Sequence, residues 1–157
     1  MYKILKTTHH NNGDTMKENI NALDEIHKGA CMGMDAIHFI QDKVQDESLK
    51  ELLDSQYESY EKISKEIEDI YPKYNDDKPH ETSSMNKIMT FYGIEMKTFN
   101  DKSNSKIAEL LIQGTNMGII EGRKVLNNKE IADEVNKIID KYVNMQEKYL
   151  ENLKKYL

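Results

Sequence analysis

Two segments of this chain, Gly29-Ala30-Cys31-Met32-Gly33 and Gly114-Thr115-Asn116-Met117-Gly118, repeat glycine, methionine and glycine at the same spacing 85 residues apart. Around them Ile26 aligns with Leu111 and Ile40 with Val125. Further along the offset becomes 86 and aligns Asp54, Glu61 and Lys62 with Asp140, Glu147 and Lys148, so one residue has been inserted in a turn. Any two amphipathic helices can be aligned by their apolar stripes. Stripes do not predict matching glycines, each costing about 1 kcal/mol against alanine in a helix interior. The chain therefore reads as an internal duplication of a two-helix unit. Glycines four apart lie one turn above the other, so Gly29, Gly33, Gly114 and Gly118 are expected to be helix-packing positions, forming grooves that another backbone can approach.

The rest of the chain follows a helical period. Residues 1–14, with His9-His10-Asn11-Asn12-Gly13, are expected to form a flexible arm, and 15–157 a single domain with helices at about 15–45, 48–71, 83–100, 104–126 and 129–155. Thr15 with Glu18, and Ser48 with Glu51, read as capping boxes. Leu23, Ile26, Ala30, Ile37, Ile40 and Val44 form one apolar stripe; Leu49, Leu52, Leu53, Tyr60, Ile63 and Ile67 form the next, which ends at Pro72. Short turns make each pair an antiparallel hairpin, and the connection carrying the short helix, with Met85, Met89 and Met96, must cross the bundle. The fold class is all-α: a four-helix bundle from two tandem hairpins with a short extra helix in the crossover.

Charge narrows the function. The net charge is −6, and Arg123 is the only arginine among 22 basic residues, so the forked donor that reads phosphates and base edges is almost absent and nucleic acid is not expected as a partner. No apolar stretch is long enough for a membrane span or a signal peptide, and Cys31 has no second cysteine to pair with, so the expected location is cytoplasmic. Leftover apolar stripe would suit a homodimer or larger homo-oligomer.

Chemistry-bearing constellations are sparse. Dinuclear iron or manganese bundles use Glu-x-x-His on two helices, because a hard dinuclear site takes bridging carboxylates and two imidazoles. This chain has no Glu-x-x-His, and its histidines, His9, His10, His27, His38 and His80, avoid the second and fourth long helices. His27, Cys31, Met34 and His38 share one helix face, but His27 and His38 are about 16 Å apart along the axis, so only His27 and Cys31 could share a soft metal. Glu121 falls on an apolar stripe opposite Ala36 of the first copy and is expected to be a rim carboxylate reaching water. The tyrosines at 57, 60, 71, 74, 142, 149 and 156 are expected to finish the core with their rings while their hydroxyls reach its rim. No phosphate loop, nucleophile elbow or paired-carboxylate signature occurs, so neither catalytic residues nor a cofactor are expected.

In helix order and crossing segment over residues 15–157, and around Gly114-Thr115-Asn116-Met117-Gly118-Ile119-Ile120-Glu121-Gly122, the chain resembles an uncharacterised bacterial branch of the ferritin-like superfamily that lacks the di-metal ligands. The resemblance implies the fold and no functional residue. Three functions stay open: a non-enzymatic bundle acting in assembly, stress or coat-type interactions; a metal-binding bundle with an atypical site near His27 and Cys31; and small-molecule binding between the glycine-lined helices. Since Cys31, His27 and His38 correspond to Asn116, Ile112 and Arg123 in the second copy, function is expected where the halves differ.

Overall fold

The computed structural model describes residues 12–79, 103–127 and 130–157. Within them lie four long helices, α1 (Asn12–Ile40), α2 (Glu47–Ile70), α3 (Asn104–Leu126) and α4 (Asp133–Leu153), with single 3-10 turns after α1, α2 and α4, and no strand. The short helix expected at 83–100, residues 1–11 of the expected arm and the histidines His9, His10 and His80 lie outside the described residues, while 12–14, expected to belong to the arm, are the first residues of α1.

The helices pack with their neighbours antiparallel. His27 at the middle of α1 meets Ser64 and Glu68 of late α2, and Tyr71 beyond the end of α2 reaches back to Asp24, nearer the start of α1. Between α2 and α4, Tyr60 meets Gln146, Lys141 pairs with Glu66, and Tyr74 donates to Glu134. The start of α3 bonds the chain's last residue through Ser105, whereas the end of α2 sits beside the start of α4. The connection from α2 to α3 therefore joins opposite ends of the bundle. Each helix supplies one stripe to a common core that includes Leu23, Ile26, Ile37, Leu49, Leu53, Ile67, Ile107, Leu110, Ile139 and Val143, all essentially buried. Burying each such side chain contributes about 1.5–3 kcal/mol, so the stripes rather than intrinsic propensity hold the helices together.

Helix starts depart from the expected caps. α1 begins at Asn12, so Thr15 is inside the helix and its carbonyl accepts from the Asn19 side chain at 2.9 Å instead of capping. Asp46 caps α2 by accepting from the Leu49 amide at 2.9 Å, while Ser48 donates to Asp46. α3 starts where expected, behind Ser103, whose hydroxyl accepts from the Lys106 amide. α4 starts at Asp133 rather than near 129: its N-cap residue Ala132 has no side-chain acceptor, and the Ala132 amide instead donates to Asn19 of α1 at 2.7 Å. No helix among the described residues is long and apolar enough to cross a membrane.

Candidate functional site: a cleft between α1 and α3

A cleft of about 690 Å³ opens between α1 and α3. α1 contributes the wall from Glu25 to Ile37, including Gly29, Met32 and Gly33; α3 contributes Leu111 and the run from Gln113 to Gly118, with Glu121 beyond. Gln56 and Tyr60 of α2 and Tyr142 and Gln146 of α4 also line it, and all four are 3% exposed or less, so they form its floor. Glu25, Gln113, Asn116 and Met117 are exposed and form its rim.

The floor is polar because each of α2 and α4 interrupts its apolar stripe with a glutamine and a tyrosine one turn apart. Antiparallel packing brings these pairs face to face. Tyr60 donates to Gln146 Oε1 at 2.5 Å, and Gln56 Nε2 donates to the Tyr60 hydroxyl at 3.2 Å and to Thr115 Oγ1 of α3 at 3.4 Å. The Gln146 amide also bonds the Tyr142 hydroxyl, whose ring lies tilted against that of Tyr60 at 6.4 Å. Burial, with the neighbouring Tyr60 second, pushes the Tyr142 hydroxyl far above the ordinary tyrosine range, so it stays protonated. Gln56 Oε1 is buried with no hydrogen-bond partner among the described residues. A buried carbonyl left unpaired costs about 1–3 kcal/mol.

These side chains explain three of the four repeat glycines, Gly29, Gly33 and Gly118. A Cβ at Gly33 would run into the Tyr60 ring, one at Gly118 into the Gln146 amide, and one at Gly29 would lie 2.5 Å from the Tyr142 hydroxyl. Gly122, not singled out by the repeat, meets Val143 in the same way. At these positions the space is taken by side chains from α2 and α4, not by an approaching backbone. The expectation that tyrosine hydroxyls reach the rim fails for Tyr60 and Tyr142, since neutral amides provide buried partners for them. It also misses the glutamines; Gln56 and Gln146, polar residues on apolar stripes, were the available signal.

The other expected site residues lie elsewhere. His27 is 1% exposed, its Nε2 lying 3.0 Å from Ser64 Oγ and 3.3 Å from Glu68 Oε1, and its Nδ1 3.9 Å from Cys31 Sγ. With Nε2 protonated toward Ser64 and Glu68, Nδ1 is an acceptor for the thiol. A smaller hollow of about 340 Å³ near the end of α2 is lined by His27, Glu68, Tyr71 and the segment after it. Among the described residues no three His, Cys, Asp or Glu side chains converge as a metal-holding group. His38 is exposed in the last turn of α1. Glu121 is half exposed and accepts from Lys124 at 2.7 Å, while Arg123 pairs with Glu147 of α4 at 2.7 Å.

A family model described as Domain of unknown function (DUF2383) matches residues 18–128, more than half of the chain. No curated protein and no solved structure matches it.

Proposed function

The chain belongs to the family of the domain of unknown function DUF2383, and from that premise we propose that it is a small-molecule-binding helical bundle whose ligand occupies the cleft between α1 and α3. The observation that carries this reading is that Gln56, whose buried carbonyl oxygen has no partner among the described residues, lines a cleft of about 690 Å³. Pockets that hold small molecules have this size and this make-up, with a few convergent polar groups set among apolar walls. Antiparallel neighbours and a connection between opposite ends support a ferritin-like arrangement. The donor set at the centre does not fit the dinuclear metal of metal-binding ferritin-like bundles, because two amides and two phenols offer neither bridging carboxylates nor imidazoles.

The test is native mass spectrometry of protein purified without denaturation, with titration of small aromatic probes followed by protein NMR. Bound mass, or saturable shifts at cleft residues, is expected in the wild type. Both are expected to be lost in Asn116→Trp, which fills the exposed mouth without touching the core. Binding that survives Asn116→Trp, or shifts scattered away from α1 and α3, would remove the cleft from consideration.

A second reading, assembly with further copies of the chain, is favoured by Met117 and Ile120 of α3, which are 63% and 47% exposed. Light scattering after chromatography decides it. An oligomer that Met117→Ser with Ile120→Ser converts to monomer supports it, and a monomeric wild type rejects it.

A further inference from the structure

We infer that the ligand of this cleft is an uncharged molecule with an apolar body and an N–H or O–H group that donates to Gln56. The inference rests on the cleft reading above and adds the chemical class. The floor is a directional chain of hydrogen bonds. Gln56 Nε2 donates to Tyr60, Tyr60 donates to Gln146 Oε1, and the Gln146 amide continues to the Tyr142 hydroxyl. The middle members each have a donor and an acceptor in use. The ends differ: Gln56 retains an acceptor with no donor, and Tyr142 retains its own hydroxyl proton.

Turning the Gln56 amide over would exchange two hydrogen bonds for one and leave the NH2 group without an acceptor. Its oxygen would then face Tyr60, whose proton already goes to Gln146, and only the Thr115 hydroxyl would be left to donate. The NH2 group matches two acceptors, so the carbonyl is the group left waiting.

Charge decides the rest. The buried floor contains only amides and hydroxyls, and the charged residues that line the cleft, Glu25, Lys28 and Glu121, are partly or fully exposed. A carboxylate or phosphate on the floor would meet the Gln56 oxygen with no buried cation beside it. An ammonium group would lack a buried carboxylate. Either ion would lose its hydration with no buried opposite charge to offset the loss, whereas a neutral amide, lactam or hydroxyl would complete the Gln56 acceptor. Apolar walls at Ile26, Met32, Ile37 and Leu111 take the remainder of the molecule.

Phenol, toluene and benzoate, matched in size, separate these terms when titrated into the full chain and into Gln56→Leu, with Kd read by NMR. Phenol is expected to bind wild type about tenfold more tightly than toluene, and benzoate not to saturate. In Gln56→Leu phenol should fall to the level of toluene, while toluene keeps its affinity. Equal binding of phenol and toluene to wild type, preferred binding of benzoate, or a phenol preference that survives in Gln56→Leu overturns the inference while leaving the cleft reading intact. Failure of both phenol and toluene to bind overturns the cleft reading, and this inference with it. Gln56→Met provides the same comparison if the leucine variant is poorly folded by circular dichroism.

Discussion

The two hairpins share a polar centre but differ to one side of it. At the centre, Gln56 and Tyr60 of α2 correspond under the 86-residue offset to Tyr142 and Gln146 of α4, with the two residue types exchanged. The exchange matters because the helices meet antiparallel. A strict repeat would set tyrosine against tyrosine, whereas the exchange sets the Tyr60 hydroxyl on the Gln146 carbonyl. Toward the other end of α2, His27, Ser64 and Glu68 form a polar wedge inside the first hairpin, while the corresponding residues of the second are Ile112, Leu150 and Lys154. The centre is thus a place where the halves complete one another, and the wedge belongs to one half alone.

The largest effect is expected at the glycines that admit the central side chains. Gly33→Ala and Gly118→Ala should each lose about 2 kcal/mol in denaturant titrations, because overpacking against Tyr60 or Gln146 outweighs the gain in helix propensity. Gly13→Ala, where a Cβ meets nothing within 4 Å, should instead gain up to about 1 kcal/mol. A neutral Gly33→Ala would mean that the centre yields easily and does not organise the bundle.

Next come the two glutamines, equally buried but unequally bonded. Gln146→Leu removes a partner from Tyr60 and Tyr142 and should cost about 1–3 kcal/mol in chemical unfolding. Gln56→Leu removes an acceptor that already lacks a donor, and its unfolding midpoint should equal or exceed that of the wild type. If the two variants lose the same stability, the directional chain is not the right description.

The wedge should prove replaceable. His27→Ile combined with Ser64→Leu, which copies the second hairpin, should stay within about 1 kcal/mol of wild type in thermal unfolding, since both partners leave together. Ser64→Leu alone should be the less stable of the two, because it strips a partner from buried His27.

The smallest effect concerns Glu134 at the α2–α4 junction, whose carboxyl is held below the usual glutamate range first by Lys73 and then by the Tyr74 hydroxyl. Its folded pKa lies below the unfolded value of 4.5, so its contribution is present above that pH and disappears as pH falls through the folded value. The melting temperature of Glu134→Gln should lie below that of wild type at pH 7, with the gap closing in acid.

Much of the fold was legible in the sequence, because apolar stripes at helical period are local. The long helices, the turn at Pro72 and the start of α3 could all be read that way. Caps were harder. Asp46 and Ser48 are both good capping residues two positions apart, and only the hydrogen bond to the Leu49 amide shows which one is used. The start of α4 could not be read locally, since its acceptor is Asn19. At the candidate site the paired glycines were visible and their occupants were not: Tyr60, Tyr142 and Gln146 approach from other helices. That gap also explains why the sequence drew attention to the positions where the halves differ, whereas the larger cleft lies where they correspond.

The bond from the Ala132 amide to Asn19 ties the beginning of the last helix to the first. During synthesis α1 emerges long before α4, so the first turn of α4 is completed only when both hairpins have docked. Fraying at that point is therefore coupled to separation of the two halves, and the second hairpin is not a self-sufficient copy of the first. A fragment holding only α3 and α4 would start its final helix with an uncapped amide, and hydrogen exchange should find Ala132 far less protected there than in the whole chain.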